Sequence, residues 1–219
     1  MIPPTSLKFL TALKKNNNRT WFELHRKQYE TVKADFLSLV QQVIAGIATF
    51  DSSIGVLEAK KCTFRINRDV RFSKNKDPYK NNLAAYFNKD GKKGNGAGYY
   101  LHMEPGKSFA AGGIWMPEPG VLASIRQEID YSFDEWKNIV TGKGVKKIFS
   151  DGIKGDVLSR PPKGYDETNR AIEYLKMKSF IVSRPFTDIE LQNKLFIKDV
   201  TKTFLAMKPL IDFLNTSLE

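Results

Sequence analysis

Tyr99-Tyr100-Leu101-His102-Met103-Glu104-Pro105-Gly106-Lys107-Ser108-Phe109-Ala110-Ala111-Gly112-Gly113-Ile114-Trp115 is the stretch that decides the fold. Its first six residues alternate, with Tyr99, Leu101 and Met103 on one side and Tyr100, His102 and Glu104 on the other, which is the period of a half-buried strand. Pro105-Gly106 turns the chain, and Ser108 to Trp115 forms the return strand. Its small residues, Ala110 to Gly113, let another group approach the backbone closely.

The pattern extends upstream. Leu83, Ala85 and Phe87 oppose Ala84, Tyr86 and Asn88, and Cys62, Phe64 and Ile66 oppose Lys61, Thr63, Arg65 and Asn67. Two further strands are therefore expected, over 60–67 and 83–88, with Cys62 in the core. The run Asp90 to Gly98 has neither the order nor the strand-to-helix setting of a phosphate loop and reads as a mobile hairpin connection. Connections this short require an antiparallel sheet.

Helices flank it. Leu7, Phe9, Leu10 and Leu13 recur at helical spacing from Thr5 to Lys15. Thr20-Trp21-Phe22-Glu23 fits a capping box, and a stripe from Val32 to Ile47 continues the helix to about Thr49, with a break near His25 to Gln28. Beyond Pro119, stripes at Val121 to Ile129 and Asp134 to Val140 give two short helices. Gly142 to Pro162 reads as loop with one or two small strands, and Asn169 to Met177 as helix. Phe180 to Ser183 is a strand ended by Pro185, and Thr187 to Leu218 is one amphipathic helix opened by the Thr187/Glu190 capping box. The expectation is a single α+β domain over 1–219: helical over 1–50, sheet over 60–116, helices and short strands over 117–219. The chain is long enough to fold without disulfides or metal.

Composition excludes several classes. One cysteine and two histidines rule out a disulfide framework and a His/Cys-rich zinc site. The N-terminal MIPPTSLKFL is not a secretory signal, and no apolar run is long enough to span a bilayer, so a cytoplasmic protein without membrane contact is expected. The dinucleotide, zinc-protease and nucleophile-elbow motifs are absent.

The net charge of +11 is local, since residues 60–93 alone carry net +8. Within them Phe64-Arg65-Ile66-Asn67-Arg68-Asp69-Val70-Arg71-Phe72-Ser73-Lys74-Asn75-Lys76-Asp77-Pro78-Tyr79-Lys80 runs from strand into loop. Guanidinium forks bind phosphate or carboxylate in pairs of hydrogen bonds, so Arg65, Arg68 and Arg71 with Ser73, Lys76, Tyr79 and Lys80 are candidate ligands for one anion. Asp69 would orient a guanidinium, or the arginines would pair internally and hold the loop. A pleat that buries Phe64, Phe87 and Leu101 presents Tyr86, Tyr100, His102 and Glu104 beside Arg65. That places Tyr86 and Tyr100 among the ligand-binding candidates and makes His102, Glu104 and Asp69 the candidate acid–base groups. Three functions stay open: binding of a phosphate-bearing or other anionic small molecule or nucleotide, nucleic-acid binding along the 60–93 stripe, and a hydrolase or transferase. Cofactor and oligomeric state are undetermined by the sequence.

The block from Phe64 to Lys80, with Gly98 to Gly106, Gly112-Gly113-Ile114-Trp115-Met116-Pro117 and the N-terminal Phe9-Leu10, Asn17, Arg19, Trp21, Phe22 and Tyr29, resembles the domain-of-unknown-function family numbered 2461, conserved hypothetical proteins of bacteria and fungi. The resemblance spans nearly the whole chain and implies a single domain. It brings no substrate, cofactor or mechanism.

Overall fold

The computed structural model describes residues 1–218. Helices α1 (Pro4–Lys15), α2 (Arg19–Leu24), α3 (Arg26–Ala48) and the single turn α4 (Ala59–Cys62) lead into strands β1 (Leu83–Phe87), β2 (Gly98–Met103) and β3 (Ser108–Ile114). Helices α5 (Pro119–Tyr131), α6 (Phe133–Thr141), α7 (Lys143–Ile148) and α8 (Ile172–Leu175) follow, then β4 (Phe180–Phe186), α9 (Asp188–Gln192) and α10 (Phe196–Thr216). The strands form one antiparallel sheet in the order β1-β2-β3-β4. The protein is a single α+β domain.

Register separates the two faces of the sheet. Ala85, Phe87, Tyr99, Leu101, Met103, Ala110, Val182 and Phe186 are buried on the inner face. Phe204 of α10 packs on Phe87 and Tyr99 at ring distances of 5.9 and 5.2 Å. Gly112 admits α10 directly, because a Cβ there would lie 2.6 Å from the Met207 sulfur. Trp136 of α6, fully buried, meets Phe180 edge-on at 5.6 Å and closes the core at the β4 end. The outer face carries Tyr86, Tyr100, His102, Phe109 and Ile181, all partly exposed.

Several local expectations are corrected. Residues 60–67 are not a strand: Cys62 N–H and Thr63 N–H close helical bonds to Glu58 and Ala59, and the chain is tied to β1 by an isolated bridge, Thr63 to Ala85, and the Phe64 N–H bond to the Ala84 carbonyl. Cys62 is buried as expected but on a helical turn, and Phe64 is 40% exposed instead of core. The first-turn cap of α2 is Asn18, whose side chain accepts from Trp21 N–H at 2.9 Å, in place of Thr20. Lys143–Ile148 is helix where loop and strand were expected, and only Ile172–Leu175 of the 169–177 segment is α-helical.

Strand β4 runs through Pro185 to Phe186. Ile181 exchanges both backbone bonds with Lys154 on the side away from β3, so by alternation the missing Pro185 N–H also faces that outer edge and costs the ladder nothing. The last helix is two. Asn193 takes extended backbone angles and its side-chain oxygen accepts from Leu195 N–H at 2.8 Å, a local bond that competes with helix continuation and separates α9 from α10. The Thr187/Glu190 capping box forms in both directions.

Candidate functional site

The outer face of the sheet floors an open groove of about 690 Å³. Tyr86, Tyr100, Phe109 and Ile181 supply the floor, and the small residues Gly98, Ala111 and Gly113 give it depth. Phe64 and Lys92 stand on one side, Trp115, Met116 and Pro117 on the other.

The second wall is built by an unusual backbone. Gly113 has φ +123°, and a Cβ there would fall 1.9 Å from the Phe180 carbonyl oxygen, so only glycine lets β3 meet β4 in this way. Met116 has φ +50°, a conformation that an unbranched side chain adopts at a cost and that a following proline disfavours further. Its N–H donates to the hydroxyl of buried Ser179 at 2.9 Å, which holds the bend. The bend leaves Trp115 78% exposed at the groove mouth. Strain of this kind, fixed by surrounding structure, concentrates at binding sites.

Across the groove two cations stand over Phe64. Lys80 Nζ lies 5.3 Å and Lys92 Nζ 5.8 Å from the centre of its ring, and Arg65 is the next residue. Lys92 donates to the Thr63 carbonyl. Among the described residues no carboxylate lies within salt-bridge distance of Arg65, Lys80 or Lys92. Burial, with the charges of Arg65 and Lys92, pushes the Lys80 ammonium below its usual range. The two ammonium groups and Arg65 repel one another, Asp69 is the carboxylate that feels the Arg65 charge, and an anion bound at Lys80 and Lys92 would offset the remaining repulsion.

The remaining basic-loop residues are engaged within the loop. Arg68 donates to the Asp77 carbonyl at 2.9 Å and to the Ser73 hydroxyl at 3.3 Å. Arg71 grips Asp69 through two hydrogen bonds of 3.0 and 2.7 Å, which hold the Asp69 carboxyl below its usual range. Lys76 donates to the Val70 carbonyl at 3.0 Å. Tyr79 is 6% exposed and stacks on Phe22 at 3.9 Å, with Asn17 holding its backbone.

Tyr86 donates to the Gly96 carbonyl at 2.8 Å, and burial pushes its hydroxyl up to about 12. Tyr100 begins a chain of polar contacts along β2. Its hydroxyl lies 3.0 Å from His102 Nδ1, His102 Nε2 lies 3.5 Å from Glu104, and the second Glu104 oxygen lies 3.5 Å from Lys14 of α1. Phe109 stacks on the His102 ring at 4.7 Å. Burial lowers the His102 pKa against the opposing pull of Glu104, and burial raises that of Tyr100. The imidazole is therefore neutral at pH 7. Burial also pushes the Cys62 thiol up to about 11, which leaves it protonated and poorly nucleophilic. Among the described residues no three His, Cys, Asp or Glu side chains come together as a metal site.

Sequence reasoning did not single out Lys92, Phe64, Phe109 or Trp115 as site residues. Lys92 lies in a glycine-rich run read as connection, and nothing local signals that this run folds back over Thr63. Trp115 carried a usable signal in Gly-Gly-Ile-Trp-Met-Pro, where an aromatic follows two glycines and precedes a proline.

The family described as Conserved hypothetical protein (DUF2461) matches residues 5–213. No curated protein and no solved structure matches the chain.

Proposed function

We propose that this chain, which belongs to the DUF2461 family of conserved hypothetical proteins, binds a small ligand carrying both a phosphate and a flat ring in the groove of its outer sheet face. The observation that carries this reading is the pair of ammonium groups, Lys80 and Lys92, that share the ring of Phe64 without a salt-bridge partner among the described residues, at the side of an aromatic-lined groove that Phe64 and Lys92 line. The phosphate sits with the cations, and the ring lies among Phe64, Tyr100 and Trp115, whose faces and edges suit stacking.

Nucleic-acid binding is the second reading, and charge argues against it. Past Trp115 the surface drops into another depression lined by Asp156 and Glu173 beside Lys154, and Lys154 is itself paired with Asp151 at 2.6 Å. A polyanion crossing the groove would meet those carboxylates, whereas a ligand with one phosphate group would not.

Thermal unfolding with phenyl phosphate, pyrophosphate, a nucleoside monophosphate and a single-stranded oligonucleotide separates the readings. At a hundredfold excess over Kd a ligand adds about 2.7 kcal/mol, which moves the midpoint by about 5–11 °C for a chain of this length. We expect the ring-bearing monophosphates to act at both low and high salt, and Lys80→Gln with Lys92→Gln to abolish the shift. A double variant that responds like the wild type overturns the site. A shift confined to the oligonucleotide and erased by salt favours the second reading.

A further inference from the structure

We infer that Tyr100, His102 and Glu104 form a proton relay that makes the groove a site of phosphodiester hydrolysis, with Tyr100 as the group that touches the reacting water. The inference rests on the groove being a phosphate site and adds a reaction to it.

The geometry assigns a direction to the relay. A hydroxyl is both donor and acceptor, but a neutral imidazole has one N–H and one lone pair. With Tyr100 donating to His102 Nδ1 at 3.0 Å, the ring proton belongs on Nε2, facing Glu104 at 3.5 Å. Glu104 is held on its other oxygen by Lys14, and Phe109 fixes the plane of the ring by stacking. These are the groups around the imidazole: Tyr100 and Glu104 from its own strand, the aromatic Phe109 from β3, and Lys14 from α1 acting through Glu104. The resting state is a base with its acceptor turned toward the phenol. Burial keeps the ring neutral and ready to accept.

Only Tyr100 of the three lines the groove. His102 and Glu104 follow it along the same face of the sheet, outside the groove lining, so Tyr100 is the member of the relay that a ligand in the groove can reach. Tyr100 contacts the Phe64 ring edge-on at 6.3 Å, and that ring also carries Lys80 and Lys92. The relay terminus and the phosphate cluster are thereby neighbours around one aromatic side chain.

In the step, water attacks phosphorus as one phosphorus–oxygen ester bond breaks. The water gives a proton to the Tyr100 oxygen while the phenolic proton passes to His102 Nδ1, so the phenol is restored and the imidazole becomes a cation facing Glu104. The alkoxide or aryloxide leaves with the bonding pair, and a phosphate monoester remains. Arg65, Lys80 and Lys92 offset the negative charge that develops on the phosphoryl oxygens. His102 returns its proton to solvent.

Bis(4-nitrophenyl) phosphate tests this directly, because 4-nitrophenolate leaves without an acid and a base-only relay suffices. Binding is read by quenching of tryptophan fluorescence and turnover by nitrophenolate absorbance, for wild type, Tyr100→Phe, His102→Gln and Glu104→Gln. We expect binding within twofold of wild type in His102→Gln and Glu104→Gln, which lie outside the groove lining, with turnover at saturating substrate reduced about 100-fold or more in Tyr100→Phe and His102→Gln. The wild-type rate should rise with pH through the His102 titration, and that limb should vanish in His102→Gln. Wild-type binding without nitrophenolate release, or release at equal rates in wild type and Tyr100→Phe, overturns the relay and leaves the binding site standing. Absence of binding by the wild type overturns both.

Discussion

His102 is a neutral ring held in a half-buried position, and that has a consequence for stability whatever the groove binds. Its folded pKa lies below the ordinary value of 6.5. Between those two values the unfolded chain holds more protons than the folded one, so stability rises with pH across that window and is lost as pH falls through it. Carboxylates contribute their own acid sensitivity, so the comparison is between wild type and His102→Gln. Urea unfolding at about pH 5 and about pH 7 should show a steeper loss on acidification in the wild type than in the variant. Equal slopes would mean that the ring protonates in place without penalty. Lys80 shows the complementary effect: its charge is disfavoured by burial and by two like neighbours, so an anion that binds there should also restore its affinity for a proton.

Elements record how far side-chain periodicity reaches. Strand β2 was legible because its buried and half-exposed residues alternate from Tyr99 to Met103, β1 because Leu83, Ala85 and Phe87 alternate with Ala84 and Tyr86 in residue type, and β3 because it follows the Pro105-Gly106 turn; the capping box at Thr187 marked the start of α9. Residues 60–67 were misleading, since Cys62, Phe64 and Ile66 alternate in residue type, whereas the buried pair that sets the local structure, Ala59 and Cys62, is spaced at the i, i+3 interval of a helical turn. Pro185 looked like a strand terminus because its tolerance depends on which side of β4 faces β3, which is a tertiary fact. The candidate site divides in the same way. Tyr100, His102 and Glu104 share a face by local pleat alone and were found together, whereas Lys92 reaches Phe64 only after the 91–93 turn folds back over Thr63. At the β3–β4 junction, Gly113→Ala should cost about 2–5 kcal/mol, because it combines a left-handed backbone with a clash at the Phe180 carbonyl. Chemical denaturation measures this, and a loss below 1 kcal/mol would mean that the strands part easily.

The whole molecule is lopsided in charge. The net +8 of residues 60–93 sits on one part of a domain whose second half is nearly neutral, so self-repulsion is concentrated near the groove. Raising NaCl from about 10 mM to about 0.3 M shortens the screening length from about 30 Å to well under 10 Å, and we expect the unliganded protein to gain thermal stability over that range. A midpoint that stays flat or falls would indicate that internal pairs such as Arg71–Asp69 already balance the excess. The sheet has a further property that belongs to the molecule as a unit. At β1 the open flank is met by the Thr63 bridge and the Phe64 N–H bond to Ala84, and at β4 by Lys154 and Pro185. Both flanks are thus stoppered against edge-to-edge polymerisation, and neither offers a free run of backbone for a peptide to join as a fifth strand. Recognition is left to the broad face, through side chains and shape.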